Sequence, residues 1–93
     1  MKPETRFTAV VKQRLNIIPN SWWVKIQLVA LRGIPDFLGC MRGKFVALEL
    51  KVGNNKPTML QAFVIKKIQE AGGYAKVVTP ENLEEVLKEL ECL

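Results

Sequence analysis

The chain contains no histidine, and that absence removes a large share of known chemistry at once. Histidine general bases, Ser-His-Asp triads and Cys-His nucleophile pairs are all excluded. With only two cysteines the chain also cannot build a Cys/His zinc site by itself. Cys40 and Cys92 are too few for a disulfide scaffold and suit a reducing, cytoplasmic setting. Cys40, in an apolar stretch, reads as a core filler, and Cys92 as a mobile thiol near the end of the chain. No apolar run approaches the ~18–20 residues needed to cross a bilayer, so no membrane association is expected. The charged start Met1-Lys2-Pro3-Glu4-Thr5-Arg6 lacks the apolar segment of a signal peptide. Acidic residues are scarce over most of the length. Residues 1–79 carry thirteen Lys/Arg against four acids (Glu4, Asp36, Glu49 and Glu70), a net +9, whereas residues 80–93 carry one lysine and five glutamates, a net −4. A basic body with an acidic tail points to a polyanionic partner approached from one side.

What is present fits one small domain spanning residues 1–93, with 48% hydrophobic and 25% charged residues. There is no repeat, low-complexity tract or linker. Residues 4–15 predict a helix, with Phe7, Val10, Val11 and Leu15 at helical spacing. From residue 21 to about 31 the period becomes two. Trp22, Val24, Ile26, Leu28 and Ala30 share an apolar face, which places Trp22 in the core and leaves Trp23 on the other face for a dimer interface or base stacking. Gly33-Ile34-Pro35 breaks that strand. Residues 36–41 and 44–52 then read as an antiparallel hairpin around Arg42-Gly43. A loop at 53–57 precedes a helix from Thr58 to about residue 71, with Leu60, Val64 and Ile68 on its buried stripe. A fourth strand covers 74–78. Thr79 as cap and Pro80 at the first position open the last helix, whose Leu83, Val86, Leu87 and Leu90 form an amphipathic stripe. The expected fold class is α/β, in the order αβββαβα, with a mixed sheet flanked by helices.

The scarce acids fall in telling places. Along residues 45–51 side chains alternate, so Phe45, Ala47, Glu49 and Lys51 share one face. If a helix covers that face, an acid and a base are partly buried there and require pairing or a metal. A cross-strand salt bridge would satisfy the same pattern. Asp36, thirteen residues before Glu49, starts the partner strand of the hairpin, so the open ends bring Asp36 to Glu49 and Lys51. Two carboxylates with the Leu50 carbonyl between Glu49 and Lys51 make the oxygen-rich set that Mg²⁺ or Mn²⁺ favours. Lys51 is placed to orient or deprotonate a water, or to neutralise charge on a phosphate.

Pro35-Asp36 followed by Glu49-Leu50-Lys51 resembles the PD-(D/E)xK nuclease signature. With Gly33-Ile34 before it and Gln61 on the following helix, the chain resembles the VRR-NUC (virus-type replication-repair nuclease) family, and its small stand-alone phage members in particular. The resemblance covers residues 4–88. It implies a restriction-endonuclease-like fold, Asp36, Glu49 and the Leu50 carbonyl as metal ligands, and Lys51 as catalytic lysine. It also implies a place for Glu4 near the metal, although a first-turn acid has a simpler role against the helix dipole. Gln61 is likewise either a residue facing the scissile phosphate or one half of a Thr58-Met59-Leu60-Gln61 capping box. Arg32, Lys56, Lys66 and Lys67 are candidates for the DNA backbone, and each equally suits a solvated surface. The implied activity is Mg²⁺- or Mn²⁺-dependent endonucleolytic hydrolysis of DNA by a homodimer in the cytoplasm of a bacterial or phage-infected cell, with branched or four-way-junction DNA preferred. The rivals are a non-catalytic nucleic-acid-binding module on the same fold and a nuclease of flaps or splayed ends.

Overall fold

The computed structural model describes residues 1–27 and 32–93. The elements run α1 (Pro3–Asn16), β1 (Ser21–Lys25), β2 (Phe37–Met41), β3 (Lys44–Leu50), α2 (Met59–Glu70), β4 (Tyr74–Val78) and α3 (Leu83–Glu91). This is the expected αβββαβα order. The four strands form one sheet in the order β1-β2-β3-β4; β1, β2 and β3 are antiparallel neighbours, and β4 joins β3 in parallel after the α2 crossover. Arg42 and Gly43 both take positive φ (50° and 84°), so β2 and β3 are joined by the two-residue turn whose twist matches the strands. The Arg42 guanidinium also donates to the Glu91 carbonyl at 2.7 Å, closing the C-terminal end of α3.

The sheet has two unequal faces. On one, Phe7, Val11 and Leu15 of α1 and Leu83, Val86, Leu87 and Leu90 of α3 pack on Phe37, Met41, Val46, Leu48 and Val78 in the main core. On the other, α2 sets Ile65 against Ala47 and Ala75, with Leu38, Ile68 and Val77 around them. Alternation along β3 therefore sends Val46 and Leu48 into the main core and Ala47 and Glu49 beneath α2. Among the described residues no helix is long and apolar enough to cross a membrane.

Several sequence expectations are corrected. The first strand ends at Lys25 rather than near residue 31; Leu28 and Ala30, expected on its apolar face, lie outside the described residues. Trp22 is 65% exposed, not core, and Trp23 is the one packed against the main cluster. Alternation is as read, but α2 covers only the β3–β4 side of its face and leaves Trp22 bare. Trp23 fits inside because its partner in the register is Gly39, where any Cβ would collide with the indole. Cys40 pairs with Trp22 on the uncovered region and is exposed, so it fills no core. In α2 the buried residue is Ile65, while Leu60 is 45% exposed. The last helix starts at Leu83 rather than Pro80. Thr79 and Asn82 bond each other's backbone N–H reciprocally, at 2.7 and 3.2 Å, and so form a turn of their own before the helix.

Candidate active site

The site lies where β2 and β3 part. Phe37 is the last residue of β2 paired with β3, opposite Leu48, so one step further Asp36 comes opposite Glu49. There the ladder is replaced by a side chain: Asp36 Oδ2 accepts the Leu50 N–H at 2.8 Å. A strand residue's N–H and C=O point to the same edge, so the Leu50 carbonyl lies on the Asp36 edge too. The next residue turns to the opposite edge, and Lys51 N–H donates to the Val78 carbonyl of β4 at 3.0 Å.

The residues before Asp36 fix its position. Gly33 has φ +81°, and a Cβ there would come within 2.7 Å of Leu60 Cγ and 3.2 Å of the Leu60 carbonyl. Only glycine allows the start of α2 to approach this closely. Pro35 is fully buried and Ile26 N–H donates to the Asp36 carbonyl at 2.8 Å, so the backbone of Asp36 is held from both sides.

Glu49 is 3% exposed beneath α2. Its Oε2 lies 3.2 Å from Lys51 Nζ. Its Oε1 is buried and has no hydrogen-bond partner, the one such side-chain atom among the described residues. Burial pushes the Glu49 pKa up, and the neighbouring Asp36 carboxylate pushes it further, while Lys51 opposes both. Like charges directly opposite on adjacent strands are destabilising. An orphaned acceptor beside a second carboxylate and an edge carbonyl is a donor set that a hard divalent cation completes.

A cleft of about 170 Å³ opens onto this corner, lined by Glu4, Phe7, Thr8, Asp36, Leu50, Lys51, Val52 and Asn55. Glu4, from the first turn of α1, thus faces the same cleft as Asp36 and Lys51. Among the described residues no group of three or more His, Cys, Asp and Glu side chains is close enough to hold a metal, so Glu4 does not close up with the Asp36–Glu49 pair. Gln61 forms the capping box: its Oε1 accepts the Thr58 N–H at 2.9 Å and its own N–H donates to Thr58 Oγ1 at 3.1 Å. Arg32, Lys56, Lys66 and Lys67 are all exposed. Lys67 stands over the Phe63 ring, 5.6 Å from its centroid, and 3.9 Å from Glu70.

Two residues at this corner went unread in the sequence. Asn55, in the loop expected at 53–57, lines the cleft. Lys25, the last residue of β1, brings its Nζ to 3.8 Å from Asp36 Oδ1. Its signal was the alternation itself, which sets Lys25 apart from Trp22 and Val24, but only the β1–β2 register shows that it reaches Asp36.

No family model matches the sequence, and no curated protein does. Among solved structures, one described as a VRR_NUC domain superposes with a TM-score of 0.73 over 100% of this chain and 95% of its own, at 23% sequence identity. The chain has the fold of a VRR_NUC domain. The expected αβββαβα architecture, a mixed sheet flanked by helices, is the observed one, and Asp36, Glu49 and Lys51 occupy one corner of it.

Proposed function

We propose that the chain is a member of the VRR-NUC family and a divalent-metal-dependent DNA endonuclease, folded as one domain over residues 1–93. The observation that carries the proposal is the buried Glu49 carboxylate, whose Oε1 has no partner, set opposite Asp36 at the free edge beside Leu50. A salt bridge alone would explain the Glu49–Lys51 contact. It would not explain why Glu49 Oε1 stays buried without a partner, which desolvation disfavours. Asp36, Glu49 and the Leu50 carbonyl are the groups that would hold Mg²⁺ or Mn²⁺. Such an ion supplies Lewis acidity at the phosphodiester and lowers the pKa of a bound water.

The chain's own residues divide the remaining work. Lys51, paired with Glu49 and lining the cleft, is positioned to orient a water and to offset negative charge building on the phosphate. Glu4 and Asn55 face the same cleft and can accept or donate a hydrogen bond to that water or to the sugar-phosphate chain. Gln61 Oε1 is committed to the Thr58 N–H, so the first duty of this side chain is to fix the start of α2. Arg32, Lys56, Lys66 and Lys67 supply exposed positive charge for the DNA backbone.

The working species on this reading is a homodimer that prefers branched DNA. The exposed tryptophan supports it, with the two indoles exchanging the places that the sequence suggested. The register aligns Trp22, Cys40 and Phe45 across three strands on one face, with Trp22 65% and Phe45 46% exposed. An uncovered apolar sheet face of this kind is what a second copy would bury. Two sites in symmetric opposition suit a substrate with two related scissile phosphates, such as a four-way junction. The test is incubation of labelled duplex, flap, splayed and four-way-junction DNA with Mg²⁺ or Mn²⁺, alongside sedimentation of the free protein. Cleavage of the junction in preference to duplex by a dimer is expected. No cleavage of any substrate in either metal would overturn the proposal.

A further inference from the structure

Each carboxylate of the corner already has a lysine of its own. Lys51 Nζ is 3.2 Å from Glu49 Oε2, and Lys25 Nζ is 3.8 Å from Asp36 Oδ1. Asp36 Oδ2 is committed to the Leu50 N–H, so Oδ1 is the oxygen left to coordinate, and it is the one that Lys25 faces. Lys25 is held there by more than charge. Its Nζ donates to the Ile26 carbonyl at 3.1 Å and lies 5.9 Å from the centroid of the Phe37 ring, and its side chain is only 28% exposed. This ammonium is a built part of the corner, on the opposite side of Asp36 from Lys51.

We propose that Lys25 is the resident cation of the metal-free site, a positioning residue that competes with the divalent ion for Asp36 and thereby sets the metal affinity. The inference rests on the metal-binding reading above. A hard divalent ion on Oδ1 would sit about 2 Å from that oxygen. A fixed ammonium 3.8 Å from the same oxygen would then face it with little screening between them. Occupancy by one therefore disfavours the resting position of the other. Until a metal arrives, Lys25 keeps Asp36 Oδ1 aimed, and its charge offsets the repulsion from Glu49. On loading, the four-carbon stem of this side chain, already 28% exposed, lets the ammonium swing further towards solvent. The corner carries two carboxylates and two ammonium groups when empty, which lets a mutually repulsive pair persist without metal.

The experiment is thermal melting of the intact protein against increasing Mg²⁺, without DNA, since a ligand that binds only the native state raises the melting temperature. The series compares the natural protein with Lys25→Met, Lys25→Arg, Asp36→Asn and Lys12→Met. Lys12 is an exposed residue of α1 and controls for a general change in net charge. Lys25→Met is expected to lower the Mg²⁺ midpoint about tenfold, and to melt lower than the natural protein in chelator. Lys25→Arg is expected to keep the midpoint within about twofold, as is Lys12→Met. A midpoint in Lys25→Met that is unchanged or higher, while Asp36→Asn abolishes the response, would overturn the role of Lys25 and leave the metal site standing. No Mg²⁺ response in the natural protein, or one that survives in Asp36→Asn, would overturn the metal reading and this inference with it. If Lys25→Met does not fold, Lys25→Gln in the same titration carries the same two outcomes.

Discussion

Replacing Glu49 with glutamine should make the metal-free protein more stable while destroying its function. Glu49 is 3% exposed, leaves Oε1 unpartnered and stands opposite Asp36. Two unit charges ~5 Å apart repel by ~3 kcal/mol at an effective dielectric of ~20. The pairing with Lys51 at 3.2 Å returns part of that, as does Lys25 on the far side of Asp36. Glutamine removes the repulsion and offers an amide N–H that Asp36 can accept, at the cost of the Lys51 ion pair. The net gain expected at neutral pH is about 1 kcal/mol, and for a chain of this length that raises the melting temperature by about 4–8 °C. The pH dependence has a definite sign. The folded protein holds the Glu49 pKa above its ordinary value, so the protonated form is the one that folding favours. Its contribution is complete below the ordinary carboxylate pKa and is lost as the pH rises through the raised one. The advantage of Glu49→Gln should therefore be full at pH 7.5 and shrink towards zero as the pH falls below that of an ordinary glutamate. Calorimetry in chelator at both ends of this range makes the measurement. A variant that melts below the natural protein at pH 7.5, or whose advantage persists undiminished in acid, would refute the account of Glu49 as a charge held at a cost.

Other outcomes follow from the same corner. Asp36→Ala, Glu49→Ala and Lys51→Ala should each abolish cleavage while circular dichroism still reports a folded chain; full activity in Glu49→Ala would sink the metal assignment. Affinity for DNA should fall about a hundredfold between 50 and 200 mM salt if Arg32, Lys56, Lys66 and Lys67 each neutralise one phosphate, and a flat dependence in a binding titration would remove the basic surface from the contact. Gly33→Ala should cost about 2 kcal/mol or more, because positive φ and the Leu60 contact both penalise it, and denaturant unfolding reads the loss directly. Trp22→Ser should shift sedimentation towards the monomer while leaving the Mg²⁺ response of melting intact; a dimer that persists would place the interface elsewhere.

Much of this was legible because the decisive signals are local. The Arg42-Gly43 turn fixes the register of β2 and β3, and with it the meeting of Asp36 and Glu49. The Glu-Leu-Lys alternation then decides which side each residue takes. Coverage was not legible. An apolar stripe of Trp22 and Val24 states that a face is apolar, not that a helix reaches it, and α2 stops short of β1. Lys25 was missed for a related reason: an overlong first strand hid the fact that Lys25 is its last residue and pairs beside Asp36. At the last helix, Thr79-Pro80 satisfies the local rule for a start. Asn82 instead accepts the Thr79 N–H and donates to the Val77 carbonyl at 3.0 Å, and these side-chain bonds hold residues 79–82 in a turn of their own before the helix starts.

The position of the site follows from how a mixed sheet is built. β3 is a central strand, and a central strand normally has both edges satisfied by neighbours. Its β4 edge stays paired to the end, where Lys51 N–H still meets the Val78 carbonyl. On the other edge β2 has turned away at Pro35, whose ring cannot donate a ladder bond, and Leu50 is left with polar groups and no strand to receive them. Asp36 takes the N–H; the carbonyl remains beside two carboxylates. Had the ladder continued for two more residues, backbone bonds would have consumed the carbonyl and closed the corner. Pro-Asp at one strand end and Glu-x-Lys at the other therefore work as one device. The proline ends the pairing, the aspartate replaces it on the donor alone, and the alternation of β3 turns one acid beneath α2, where burial leaves Oε1 without a hydrogen-bond partner.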